Sequence, residues 1–540
     1  MAELLSTFAA PSPAESAIVR ERILNIAADL LILDTEIGRL KKILKGLRHN
    51  RKALQRLSIG HHNVLNPTRR LPIEILGEIF IQLQHMLGGR SIAPTKVCRQ
   101  WREVAIGTSK LWNHIKISYL NQMDVYMVPI WLQRSSGQPL TIELGRQGTV
   151  WGHAKRENTA VHDMIASHAH RWKDVKLHIT DTMVSFLQNI PGDFPMLHNL
   201  YITGLSRNLA ATWPQNFNCA FSLRILTLEK CVYLPISTFP WAKLTKCTLT
   251  GGNNSCQDGY HVLSQAVNLQ TFVMNLDARF PFSPTPLNHL SLSNLSTLDI
   301  IVISGEKSED LFNLLTLPAL IDLKVLDRWS SNPFEYTADM VIRSRCSLKK
   351  LSLQTRGTLT AHIPLRNLFN AIPSLSELEL LKDAAAGWDD SMMDFLTHVP
   401  YHAADLCCPL PKLTSVKLTV HRAFSYRKFV DFLSSRHHAT TCTSGGTRLA
   451  QLRTAVLAMP GGGTVNDRWA YYVDQETYEE FVELRESGLD LYFMEMGGRR
   501  TLEDYLAPED KDDSETDDEE DCSETDGEDD SDIDEEEEDD

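Results

Sequence analysis

Between residues 18 and 57 apolar side chains return every three or four positions, the spacing of one amphipathic helix. With Ile23 as heptad position a, the a series is Ile23, Leu30, Ile37, Leu44 and Arg51, and the d series is Ile26, Leu33, Leu40, Leu47 and Leu54. Nine of these ten are apolar, as a coiled-coil seam requires. Glu36 and Lys41 take g and e positions suited to an interchain pair, whereas Asp29 and Asp34 repel in the same arrangement. The pattern leaves two partners open, a second copy or the helix's own chain. Lys41, Lys42, Lys45, Arg48, Arg51, Lys52 and Arg56 make the second half basic, as on a solvated face. Asn66-Pro67 ends the helix, because proline restricts its predecessor and cannot continue the ladder. Residues 1–17 are therefore expected to be disordered and residues 18–65 helical.

A shorter stripe follows in LPIEILGEIF, residues 71–80. Pro72 suits the first turn of a helix, where its missing N–H costs nothing. Ile75, Leu76, Ile79 and Phe80 recur at helical spacing, and Gly88-Gly89 stops the helix after about Leu87. A second helix is expected from about Pro94 to Ile106, with Val97, Trp101, Val104 and Ala105 on one face and Leu111-Trp112 just beyond. So small a pair of helices is marginal alone, so the stripe should lean on a partner protein or the next domain. The alternative is that all these side chains are internal core.

From residue 197 a third pattern takes over, LxxLxL with aliphatic substitutions. It starts at Leu197, Leu223, Leu244, Leu269, Leu295, Leu320, Leu348, Leu375 and Leu413, at intervals of 26, 21, 25, 26, 25, 28, 27 and 38 residues. That period belongs to leucine-rich repeats, and the widest interval reads as an insertion. Two inward residues separated by one position form a short strand, which bonds to the next repeat while a return segment covers the other side. The fold class expected is α/β, a short helical module followed by an irregular leucine-rich solenoid over residues 119–500. Its concave face would present Tyr201, Thr227, Thr248, Val273, Asp299, Lys324, Ser352, Glu379 and Lys417. This mixture of chemistries suits recognition of a protein without saying which. Upstream, Leu140, Ile142 and Leu144 alternate as a strand.

The string LPxEILxxIF, then VCRxWRxxA, then LWxxI resembles the F-box, in the F-box-like form abundant in mushroom-forming fungi, over about residues 66–118. The resemblance implies a helical module that docks on the Skp linker subunit of a cullin-based SCF ubiquitin ligase. By position it assigns Leu71, Pro72, Ile75, Ile79, Val97 and Trp101 to the docking surface or its support, and Leu111 and Trp112 to closing the module. Ile92-Ala93-Pro94 stands where the family usually has a Leu-Ser approach to the second helix. Cys231 falls where the cysteine-containing repeats common in F-box proteins carry Cys or Asn.

Charge changes the picture only at the C-terminus. The formal charge is −15, but residues 509–540 hold 23 acids against Lys511, a net of −22, so the first 508 residues carry about +7 (−15 + 22). Residues 501–540 are expected to be a disordered tail, too poor in apolar side chains to offset ordering entropy. Ser514, Thr516, Ser523, Thr525 and Ser531 each precede an acid by three residues, the pattern acidophilic kinases accept. The tail is either a solubilising segment or a contact for basic proteins such as histones, or for the chain's own basic helix. Ten cysteines without CxxC spacing suit a reducing compartment, the cytoplasm or nucleus. No stretch reaches the roughly 18 apolar residues of a membrane span.

His61-His62, His168-Ala169-His170 and His437-His438 belong to no recognised ligand set and read as surface or loop histidines. GGGT at 461–464 lacks the lysine of a phosphate loop. No cofactor, metal or nucleic acid is expected. The expectation is a non-catalytic substrate receptor that joins a ligase to an unknown target. The alternative is an interaction scaffold without ubiquitin function, self-associating through residues 18–57.

Overall fold

The computed structural model describes residues 10–87, 93–118, 122–145, 159–179, 186, 190–204, 215–231, 239–279, 287–305, 307–327, 329, 333–355, 362–382, 390–397, 409–419, 424–438, 449–458, 473–495 and 498–500. The tail candidates Ser514, Ser523 and Ser531, and the GGGT turn, lie outside them. The chain divides into two units, Met1–Trp112 and Asn113–Asp540.

In the first unit, helix α1 spans Pro13–Leu65. It begins earlier than expected, for a local reason: Pro13 occupies the first turn, and Ser12 and Glu15 form a reciprocal capping box. Residues 13–17 are therefore helical. Asn66, in extended backbone, ends α1, and its side chain caps the 3-10 turn Pro67–Arg70. Helix α2 follows at Ile73–Met86, with Pro72 as its N-cap residue.

The second expected helix is broken. Cys98 is extended (φ −152, ψ 174), separating α3 (Pro94–Val97) from α4 (Arg99–Gly107). The Cys98 thiol accepts from the Trp101 amide at 3.4 Å, which makes Cys98 a cap that the helical periodicity does not show. The 3-10 turn Ser109–Trp112 closes the unit.

Among the described residues, the second unit is built on one 15-stranded sheet. Its first strands are β1 (His114–Ile117), β2 (Leu140–Leu144), β3 (Trp172–Ile179), β4 (Asn199–Gly204), β5 (Ile225–Glu229), β6 (Lys246–Ser255) and β7 (Thr271–Asp277). A separate two-stranded pair is formed by β8 (Leu290–Ser291) and β10 (Leu315–Thr316), which flank β9 (Thr297–Ser304) in the chain. The large sheet continues through β11 (Asp322–Asp327), β12 (Lys350–Thr355), β13 (Glu377–Lys382), β14 (Ser415–Thr419), β15 (Thr454–Ala458), β16 (Asp490–Glu495) and β17 (Gly498–Arg500). Strand order in this sheet follows chain order, and every neighbouring pair is parallel except the last, β16 with β17.

All nine LxxLxL motifs are strands, and their first leucines, from Leu197 to Leu413, are at most 1% exposed. Within each strand the two inward residues, such as Leu200 and Ile202, are buried while the residue between them is not. The module boundary differs from the expected residue 118: His114–Ile117 is the first strand of the sheet, in register with Thr141–Leu144. The return segments hold helices including α5 (Gln122–Arg134), α6 (Thr159–Ser167), α7 (Cys256–Gln265), α8 (Ser308–Asn313), α9 (Pro333–Ser344), α10 (His362–Ala371), α11 (Asp390–Leu396), α12 (Tyr426–His437) and α13 (Gln475–Glu486).

One device recurs on that side. Arg171, Arg343 and Arg436 each turn a guanidinium toward carbonyls of the preceding repeat. Arg436 is wholly buried and donates to the carbonyls of Leu396, Pro409 and Leu410 at 2.6 to 3.1 Å. These carbonyls flank residues 398–408, within the expected insertion, so one cation satisfies acceptors on both sides of it. Among the described residues, no helix is long and apolar enough to cross a membrane.

Candidate functional site

The first candidate surface is on α2. A helix turns 100° per residue, so Leu76, Phe80 and Gln84 lie on one side and Ile75, Ile79 and Met86 on another. Leu76 and Phe80 are 1% exposed and form a core with Ala105, against which Leu71, Trp101, Val104 and Leu111 pack. Phe80 and Trp101 meet with ring centroids 5.0 Å apart. Gln84 donates to the Leu111 carbonyl at 3.0 Å, and the Trp112 indole donates to the Ala105 carbonyl at 2.8 Å. The expected closing pair, Leu111 and Trp112, thus holds the unit together.

The six residues assigned to docking separate into two groups. Leu71 and Trp101 support the core from inside. Pro72, Ile75, Ile79 and Val97 are exposed, the last three at 51%, 45% and 59%. Val97 does not share a face with Trp101, Val104 and Ala105, because the break at Cys98 turns it outward. Ile73, Met86, Leu87 and Ile106 are also exposed apolar residues that the sequence reading left out. Met86 was within its reach, since it stands eleven residues after Ile75 and seven after Ile79.

The second candidate surface is the sheet face opposite the core. Strand register places all nine expected residues in one unbroken row, from Tyr201 beside Thr227 to Glu379 beside Lys417. The row also extends beyond them. Lys116, Glu143 and Lys176 precede Tyr201, and Val456 and Tyr492 follow Lys417. The missed strands carry readable variants of the motif, Trp172-x-x-Val175-x-Leu177 and Leu452-x-x-Ala455-x-Leu457. Two positions further along the strands, Ile301, Leu326 and Leu381 put half-buried apolar side chains on the same face.

Most charges in the row meet a neighbour. Glu143 lies 3.1 Å from Lys116 and 3.8 Å from Lys176, and Lys176 stands over the Tyr201 ring. The Tyr201 hydroxyl donates to Glu229, and burial together with that carboxylate pushes its pKa up. Glu379 accepts from Lys417 at 2.6 Å and from Ser352 at 2.7 Å; burial raises its pKa, but these partners outweigh burial and hold it low. Asp299 is the opposite case. Lys324 approaches only to 3.9 Å, and burial pushes its carboxyl up.

Among the described residues, four buried side-chain atoms have no hydrogen-bond partner: His178 Nδ1, Asn199 Oδ1, Asn275 Oδ1 and Asp299 Oδ1. By strand parity all four residues belong to this face. A cleft of about 300 Å³ opens over β1–β5, lined by Glu143, Asp174, Lys176, Asn199, Tyr201 and Thr227 among others. The face is therefore polar, internally paired and incompletely satisfied, which suits contact with another polar surface.

The expected surface histidines need one correction. His437 is 4% exposed, and its ring nitrogens lie 2.9 Å from the Leu452 carbonyl and 3.2 Å from the Ser487 carbonyl, so it ties α12 to later repeats. His61 and His62 are exposed on α1. Cys231 is buried against the Ile202 and Glu229 carbonyls, and burial pushes its thiol up to about 12. Compared with known proteins, the chain matches no family model, and no curated protein matches it.

Proposed function

We propose that the chain is a substrate-receptor subunit of an SCF-type cullin ubiquitin ligase, working in the cytoplasm or nucleus. In this reading α2–α4 form an F-box-like module that docks on the Skp-type linker subunit, and the sheet is a leucine-rich solenoid whose polar face holds a target protein. The chain does no bond chemistry of its own. Its contribution is proximity, bringing target lysines near a charged conjugating enzyme.

The observation that carries the reading is the double stripe on α2. One side fills the unit's core, while Ile73, Ile75, Ile79 and Met86 remain 45% to 84% exposed. An exposed apolar stripe on a small helical unit marks a site for another polypeptide. The polar row supports the second half of the reading, since paired charges and unsatisfied acceptors discriminate among partners.

The test is a binding titration of the purified full chain with a Skp-type linker subunit. Ile75→Asp/Ile79→Asp should weaken binding about 30-fold or more, because charges enter a desolvated contact. Both positions are exposed, so the variant's circular dichroism and melting temperature should match the wild type. Equal affinity of a folded variant would refute the assignment.

A further inference from the structure

We propose that α1 pairs with the same helix of a second copy, antiparallel, in the register that sets Ile37 of one copy opposite Leu40 of the other. The inference rests on α1 alone and stands or falls independently of linker docking. All nine apolar seam residues, from Ile23 to Leu54, are 47% to 66% exposed. Folding back on its own chain is thus not how the helix buries them among the described residues. A 53-residue helix extends about 80 Å, so a seam of this length needs a partner of comparable length. A second copy supplies one.

Charge decides the direction. Residues 15–39 carry five acids (Glu15, Glu21, Asp29, Asp34, Glu36) and three bases (Arg20, Arg22, Arg39), a net of −2, whereas residues 41–56 carry seven bases and no acid, a net of +7. A parallel pair sets the two basic halves side by side, within a Debye length of each other. An antiparallel pair sets each basic half against the acidic half of the other copy.

The flanking positions agree. Parallel pairing opposes Asp29 to Asp34, and its one favourable contact, Glu36 with Lys41, draws on a Glu36 carboxylate already held by Arg39 at 2.7 and 2.8 Å. In the antiparallel register Ile23 faces Leu54, Leu30 faces Leu47 and Leu33 faces Leu44. Asp34 then flanks Lys41, Asp29 flanks Asn50, and Arg48 flanks Ala27, so no like charges are opposed. Arg51, the one charged seam residue, faces Ile26 with Asp29 one turn further on.

Light scattering of the full chain should give twice the 61.0 kDa mass. Leu33→Lys/Leu44→Lys, which places charges in facing layers, should return the monomer mass without loss of helicity by circular dichroism. Zero-length carbodiimide coupling of an equal mixture of light and isotope-labelled chains then reads direction. The expected links join Asp34 of one copy to Lys41 or Lys45 of the other, residues about 10 to 16 Å apart along the axis in a parallel pair. A 61.0 kDa mass at every concentration, a dimer that survives the lysine pair, inter-copy links only of the parallel kind, Glu36 to Lys41, or helix lysines coupled only to the acidic segment 509–540 of the same copy would each overturn the proposal.

Discussion

The exposed stripe of α2 and the polar row of the large sheet are both uncovered, yet for different reasons. On α2 the hydrophobic residues outnumber what the small core can take, so Ile75, Ile79 and Met86 face water beside a filled interior. Water penalises that arrangement by about 25 cal/mol per Å² of apolar surface, a penalty that only another surface removes. In the sheet, period-two alternation sends the leucines inward and leaves Glu143, Lys176, Glu379 and Lys417 outward, where they neutralise one another. That face is stable uncovered. The difference teaches that, in the proposed reading, the α2 stripe supplies binding energy and the sheet face supplies selectivity.

The largest separation between the two kinds of position is expected within α2 itself. Phe80→Ala should cost about 3–5 kcal/mol and unfold the small unit, because it empties the centre of the core. Ile79→Ala, one residue away, should leave the unfolding free energy within about 0.5 kcal/mol of wild type. Calorimetry of both variants checks this, and a large loss for Ile79→Ala would mean the stripe is internal after all.

On the sheet the effects are smaller and depend on pH. Glu379 has a lowered pKa, so its pairing stabilises the fold above the ordinary glutamate value and is lost as pH falls through the folded value. Glu379→Gln should therefore destabilise by about 1 kcal/mol at pH 7, with the difference vanishing in acid. Asp299 has the opposite sign. Its raised pKa makes the ionised form a burden at neutral pH, relieved as pH falls toward the unfolded value. Asp299→Asn should leave stability at pH 7 unchanged or raise it by less than about 1 kcal/mol, and any gain should shrink below pH 4. Denaturation curves at pH 7 and pH 3.5 distinguish the two.

Periodicity made much of this legible. The nine LxxLxL motifs mark nine strands, and the rule that the middle residue faces away from the core predicts the single row from Tyr201 to Lys417 that the strand register shows. Capping and satisfaction were harder to read. Ser12-x-x-Glu15 is a recognisable capping box that sets the start of α1, whereas the heptad seam begins only at Ile23 and does not mark it. Cys98 gives no helix-breaking signal in a string as regular as VCRQWREVA, and its extended backbone is what turns Val97 outward. Buried Arg436 looks like any surface arginine in the sequence, because its partners are carbonyls 26 to 40 residues away.

In the proposed reading the α2 stripe is covered by a second protein. Amide hydrogen exchange of the full chain, with and without a Skp-type linker subunit, tests it most directly. Slowed exchange concentrated in Ile73–Met86 and Pro94–Val97, absent in Ile75→Asp/Ile79→Asp, is the expected result. Unchanged exchange there, or protection confined to the sheet strands, would contradict it.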